Sequence, residues 1–79
     1  TLYNTEEITI IIRFLDLIEE CYLSGVELTQ FKSTYKEFKS VVRAKSEENS
    51  LYRKFKEITG YDGYLAVKEM KNEKPKIRL

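Results

Sequence analysis

The stretch from Asn4 to Gly25, NTEEITIIIRFLDLIEECYLSG, decides how the rest of the chain is read. It opens on Asn4-Thr5-Glu6-Glu7. An Asn just ahead of a helix accepts the first free backbone N–H groups. A Glu three residues later completes a capping-box pattern. The acids also suit the positive end of the helix dipole. Ile8, Ile11, Leu15, Ile18 and Tyr22 then recur at alternating spacings of three and four, which is one helical face. Ile10, Phe14, Leu17 and Cys21 form a second stripe beside it. A helix apolar over so wide an arc is expected at the centre of a fold, packed on two sides. Gly25 supplies its stop.

Working outward, Leu28, Phe31, Tyr35, Phe38 and Val42 repeat at three and four, predicting a second helix from about Leu28 to Val42. Lys32, Lys36, Glu37 and Lys39 fill its other side. A break is expected at Arg43-Ala44-Lys45. A third helix then starts near Ser46, with Leu51, Phe55 and Ile58 as a narrower stripe and Tyr52 alongside. The segment Ile58 to Tyr64, ITGYDGY, reads as a helix-to-helix corner. Gly60 ends one helix at positive φ, Asp62 caps the next, and Gly63 is tolerated in its first turn. A fourth helix runs from about Gly63 to Asn72. Pro75 prevents continuation. No strand alternation, repeat or low-complexity run is read. The expected fold is all-α, a compact array of about four short helices. Residues 1–73 form a single helical domain and residues 74–79 a flexible basic tail. The expected core is Phe14, Leu15, Ile18, Phe31, Phe38, Phe55 and Ile58.

Size and composition narrow the functional classes. A chain of 79 residues makes one small domain, with 42% apolar and 34% charged residues. No run approaches the ~20 apolar residues of a membrane span, so no membrane association is expected. A lone cysteine excludes an internal disulfide framework and fits a reducing cytoplasm, the expected location. The net charge of +1 is unevenly spread. Thr1 to Phe31 carries six acids against Arg13, whereas Lys32 to Leu79 carries thirteen bases against seven acids.

Few chemistries have their residues here. The chain has no histidine, which removes the commonest general base and metal ligand. Cys21 lies among apolar neighbours with no cation to activate it, so a buried, inert thiol is expected. Asp16, Glu19 and Glu20 share one helical flank, but without a second carboxylate helix they read as a solvated acidic face. Gly60-x-x-Gly63 lacks the preceding strand and following Lys-Ser/Thr of a phosphate loop. No catalytic residue, metal or cofactor is called for. The reading is therefore of a non-enzymatic protein-interaction or regulatory module whose partner is another protein. Tyr61 and Tyr64 are the candidate partner surface, one folded back to anchor the corner and the other exposed. The alternative is weak nucleic-acid or ribosome-associated binding through the basic second half. Lys32, Lys36, Lys39 and Arg43 are its candidate anion-binding face.

Four stretches carry a family resemblance. They are Asn4-Thr5-Glu6-Glu7, then Glu19-Glu20-Cys21-Tyr22 with Gly25, then Tyr35-Lys36-Glu37-Phe38-Lys39 running into Val42 to Glu48, and finally Phe55 with Thr59 to Tyr64. Together they resemble the YktA-like family of small uncharacterised proteins from Gram-positive Bacilli. Tyr3 stands where that family usually has Trp, and Arg43-Ala44 where it has Pro-Ser. Its members carry further residues ahead of the point matching Thr1, so a longer start is expected. The resemblance implies a small helical cytosolic domain. It implies no activity, ligand or catalytic residue.

Overall fold

A computed structural model describes residues 3–79. Four helices occupy most of them: α1 (Thr5–Leu23), α2 (Leu28–Val41), α3 (Lys45–Thr59) and α4 (Gly63–Met70). The capping box forms as its residues dictate. The Glu7 N–H donates to Asn4 Oδ1 at 2.8 Å, and the Asn4 N–H donates to Glu7 Oε1 at 2.9 Å. No helix among the described residues is long and apolar enough to cross a membrane.

The wide apolar arc of α1 places it centrally, against α2 on one side and α4 on another. Its buried residues are Ile11, Phe14, Ile18 and Cys21. Phe14 meets Phe31 of α2 at a ring-centroid distance of 5.3 Å and stacks on Phe38 at 4.4 Å. These three rings are fully buried with Val42 and form the middle of the core. The radius of gyration is 11.8 Å, against about 11.6 Å expected for a folded chain of this length.

The expected core is corrected at three positions, Leu15, Phe55 and Ile58. Ile58 is 83% exposed rather than buried. The buried side of α3 is the Glu48–Tyr52 line. Ile58 is six residues beyond Tyr52, so it sits about 120° away around the helix. Leu51 and Phe55 lie between and are half-buried, as is Leu15 of α1. Gly63 does more than fit a first turn. A Cβ there would lie 2.6 Å from the Tyr52 ring and 2.9 Å from Ile18 Cδ1, so a side chain at this position would push α4 off α1 and α3.

The segment after α4 also differs from expectation. Two short strands, β1 (Val26–Glu27) and β2 (Lys76–Ile77), pair antiparallel with Val26 opposite Ile77. The Leu79 N–H donates to the Cys21 carbonyl at 2.9 Å, and Ile77 is 1% exposed. The 74–79 tail is therefore docked along β1. Ile77 joins the same buried core as Cys21 and Val26, and its burial favours the docked position.

Candidate functional site

The polar centre of the molecule is Glu48, in the first turn of α3 and 3% exposed. Its Oε1 accepts from Lys39 Nζ at 2.7 Å. Its Oε2 accepts from the Tyr52 hydroxyl at 2.6 Å and the Tyr35 hydroxyl at 3.2 Å. Glu48 and Tyr52 are four residues apart and so share a helical face. Tyr35 and Lys39 share one on α2 in the same way. Burial alone would raise the Glu48 pKa, but the hydrogen bonds from Lys39, Tyr52 and Tyr35 outweigh it and hold the carboxyl below its usual range. Burial, followed by the Glu48 charge and hydrogen bond, pushes the Tyr35 hydroxyl up to about 12. Burial and the bond to Glu48 push Tyr52 up further still. This cluster holds a carboxylate ionised and two phenols neutral. Sequence reasoning missed it. Glu47 does something else again, accepting from the Tyr3 hydroxyl.

The four candidate bases of α2 have separate fates. Lys39 is spent on Glu48, and Lys32 pairs with Glu73 beyond α4. Arg43 lies past the end of α2 and turns back, its Nε donating to the Ser40 carbonyl at 3.3 Å. Among the described residues only Lys36 of the four is exposed with neither an ion pair nor a hydrogen bond from its side chain. Two of the four charges are thus matched within the chain.

At the corner, Gly60 adopts φ 84° and closes α3. That left-handed conformation is open to glycine at little cost. Asp62 Oδ1 accepts the Tyr64 N–H at 2.9 Å, and the Asp62 N–H donates to the Tyr22 hydroxyl at 3.0 Å. Tyr61 folds back edge-on to Tyr22 at 4.9 Å and lies 6.4 Å from Phe55. It thus anchors the corner to α1 and α3, while Tyr64 is 56% exposed. Gly63 is buried, so its backbone offers no open cradle for a phosphate.

Tyr64 stands between two clefts along the α3–α4 junction. The more enclosed one has a volume of about 90 Å³, with Glu48 and Tyr52 on its lining and Lys45, Lys68 and Lys71 around it. The shallower one continues past Asn49, Tyr52 and Tyr64 to Arg53, Lys56 and Asp62. Lys56 sits 3.5 Å from Asp62. Lys45, Arg53, Lys68 and Lys71 have no ion pair among the described residues. The junction therefore joins an exposed aromatic ring to uncompensated positive charge. The sequence signal was available: Lys68 and Lys71 share a helical side with Tyr64, at spacings of four and three. Their convergence with Lys45 depends on how α3 and α4 cross.

Cys21 is buried, and burial followed by the Glu20 charge pushes its thiol up to about 11. The nucleophilic thiolate is thereby disfavoured. Asp16, Glu19 and Glu20 do not combine into a group able to hold a metal ion, and no other such group occurs among the described residues.

Comparison with known proteins places this geometry in a family. A family model described as an uncharacterised protein family, UPF0223, matches residues 1–78. The chain belongs to the UPF0223 family. It is 41% identical over 70 residues to a UPF0223 protein of Listeria welshimeri, covering 89% of this chain and 78% of that one. A Streptococcus agalactiae member is 42% identical over 66 residues, covering 84% and 71%. A Staphylococcus aureus member is 35% identical over 77 residues, covering 98% and 85%. The relatives are thus Gram-positive bacterial proteins, as the resemblance implied.

Proposed function

We propose that this UPF0223 protein is a non-enzymatic cytoplasmic interaction module that docks an acidic segment of a partner protein along the α3–α4 junction. The finer likeness to YktA-like proteins belongs to this reading and adds no activity to it. One observation carries it: a half-exposed tyrosine, Tyr64, is set between clefts that contain four bases without ion pairs. Tyrosine and arginine supply much of the energy at protein interfaces, and tyrosine buries its area at low entropic cost. Uncompensated lysines steer an oppositely charged partner and fix its register. Tyr61, packed inward, rigidifies the corner that presents Tyr64.

The nucleic-acid alternative has less support on α2, where Lys32 and Lys39 are already paired. Affinity capture from the native cell separates the readings. Wild-type protein is compared with a Tyr64→Ala, Arg53→Glu double variant of unchanged thermal melt, both before and after nuclease treatment. The expected result is a defined protein that resists nuclease, binds wild type and is lost with the variant. Identical captures by both proteins would overturn the proposed surface. Loss of capture on nuclease treatment would favour the nucleic-acid reading.

A further inference from the structure

The enclosed cleft between α3 and α4 gathers three cations that the rest of the chain leaves uncompensated. Among the described residues five of the fourteen bases are ion-paired: Arg13, Lys32, Lys39, Lys56 and Lys74. The two acids nearest in sequence to Lys68 and Lys71 are committed elsewhere, Glu69 to Lys74 and Glu73 to Lys32. The acid on the cleft lining, Glu48, is matched by Lys39 and its oxygens are taken by two tyrosine hydroxyls. Its negative charge is therefore offset where it stands. The lining that remains is positive.

The helix dipole explains part of this pattern and fails for the rest. Lys68 and Lys71 lie at the C-terminal end of α4, where a cation is favoured. Lys45 is the first residue of α3 and borders the same cleft. That is the positive end of a helix, where a cation is disfavoured. The residue before it, Ala44, supplies no side-chain cap. Lys45 stands against the dipole beside two more cations and forms no ion pair with Glu47 or Glu48 of its own turn, which makes physical sense if an anion occupies the space between them. The space of about 90 Å³ holds several waters and so admits a tetrahedral oxyanion. A single carboxylate would match one of the three lysines; a doubly charged group matches them better. Lysine is a point-charge donor well suited to phosphate. The shallower cleft shares Asn49, Tyr52 and Tyr64 with the enclosed one and gives room for whatever carries that group.

We infer that the enclosed α3–α4 cleft is a binding site for a phosphomonoester dianion, held by Lys45, Lys68 and Lys71, with the esterified group leaving across Tyr64. This deepens the docking reading, since it gives the acidic segment a terminal phosphate. A free phosphorylated small molecule offers the same chemistry, and the experiment separates the two sources.

The full chain, isotope-labelled, is titrated by NMR with inorganic phosphate, a phosphoserine peptide, its unphosphorylated form, and a single-stranded oligonucleotide of diester phosphates. Saturable shifts at Lys45, Asn49, Tyr64, Lys68 and Lys71 are expected with both monoester probes. Lys45→Ala and Lys68→Ala should each weaken binding by about tenfold, as for loss of one charge-assisted contact. Lys36→Ala, on exposed α2, should leave it unchanged, and all three variants should keep the wild-type spectrum elsewhere. Tighter binding of the phosphopeptide than of inorganic phosphate assigns the site to a protein segment. Equal binding assigns it to a free phosphate compound. Absence of saturable shifts with both monoesters, or oligonucleotide binding as tight at the same residues, would overturn the site. Partner capture through Tyr64 that persists after such a failure would leave the docking reading standing and remove only the phosphate.

Discussion

The joint between α1 and α2 and the joint between α2 and α3 solve one problem with opposite chemistry. The first is apolar: Phe14, Phe31 and Phe38 interlock, with Phe14 and Phe38 stacked at 4.4 Å. The second is polar: Glu48 reaches down from α3 and collects Lys39 and Tyr35 of α2 with its own Tyr52. An apolar joint gains from every buried carbon and is indifferent to pH. A polar joint gains little net, because desolvation offsets most of the attraction, but it is costly to break by halves. It also fixes one geometry, since each oxygen has a named donor. The difference teaches that α3 is oriented by a named set of hydrogen bonds beside the Phe38–Tyr52 ring contact. That matters because α3 forms one wall of the candidate site.

The largest effect should come from the apolar joint. Phe38 is fully buried between Phe14 and Tyr52. Phe38→Ala removes its transfer energy and leaves a cavity, costing about 3–5 kcal/mol. In so small a domain that approaches the whole folding free energy. Urea unfolding with circular dichroism reads it directly. An unchanged midpoint would show that the ring stack does not hold α2.

The polar joint should break almost as sharply when halved and recover when removed whole. Lys39→Met leaves the Glu48 carboxylate buried without its cation, at a cost of about 3 kcal/mol. Adding Glu48→Leu to Lys39→Met removes the orphaned charge but leaves the buried Tyr52 hydroxyl without its acceptor, so stability should return in part. Additive losses in the double variant, measured by urea titration, would show that the pair does not act as a unit.

The two joints differ also in how legible they were. The four helices, both flanks of the α1 arc, the Gly60 stop and the Asp62 cap could all be read from spacing and local capping. Each depends on residues within a turn or two of one another. Glu48 could not be read so. Its partners Tyr35 and Lys39 lie thirteen and nine residues away on another helix, and nothing local distinguishes it from the neighbouring Glu47. The docked tail was readable in part, because Lys76-Ile77-Arg78-Leu79 alternates polar and apolar as a strand does. The proline and the lysines drew the reading toward a free end instead. The candidate site depends on the crossing of α3 and α4, so Lys45 could not be grouped with Lys68 and Lys71 from the sequence. The partner surface was half legible: the split of Tyr61 inward and Tyr64 outward was foreseen, though not which of the two would turn in.

Acid should separate the joints more gently. The folded Glu48 pKa lies below its ordinary value of 4.5. A carboxyl whose folded pKa is depressed contributes stability that is complete above the unfolded pKa and lost as pH falls through the folded one. Melting temperature should therefore fall as pH drops from about 4.5, and Glu48→Gln should remove part of that slope while lowering stability at neutral pH. Lys39→Met must flatten the same slope, because Lys39 is the chief source of the depression. An acid slope identical in wild type and Glu48→Gln would assign the effect to other carboxylates. The Phe38 joint contributes no such slope.

The smallest effect tests whether burial, rather than charge pairing itself, gives the polar joint its weight. Arg13 and Glu37 also link α1 to α2 by an ion pair, at 3.2 Å, yet their side chains are 56% and 51% exposed. In the Lys39–Glu48 pair the corresponding figures are 27% and 4%. Water screens the exposed pair, and ordering two long side chains offsets what attraction is left. Such pairs are worth about 0.2–1 kcal/mol. Glu37→Gln should thus shift the urea midpoint barely beyond error, and the shift should vanish in molar salt, where screening acts within a few ångströms. Glu48→Gln, at the same salt, should keep most of its cost, because the lost bonds lie out of reach of mobile ions. A Glu37 effect equal to that of Glu48 would mean that the charge at the α1–α2 surface holds the bundle as firmly as the buried hub.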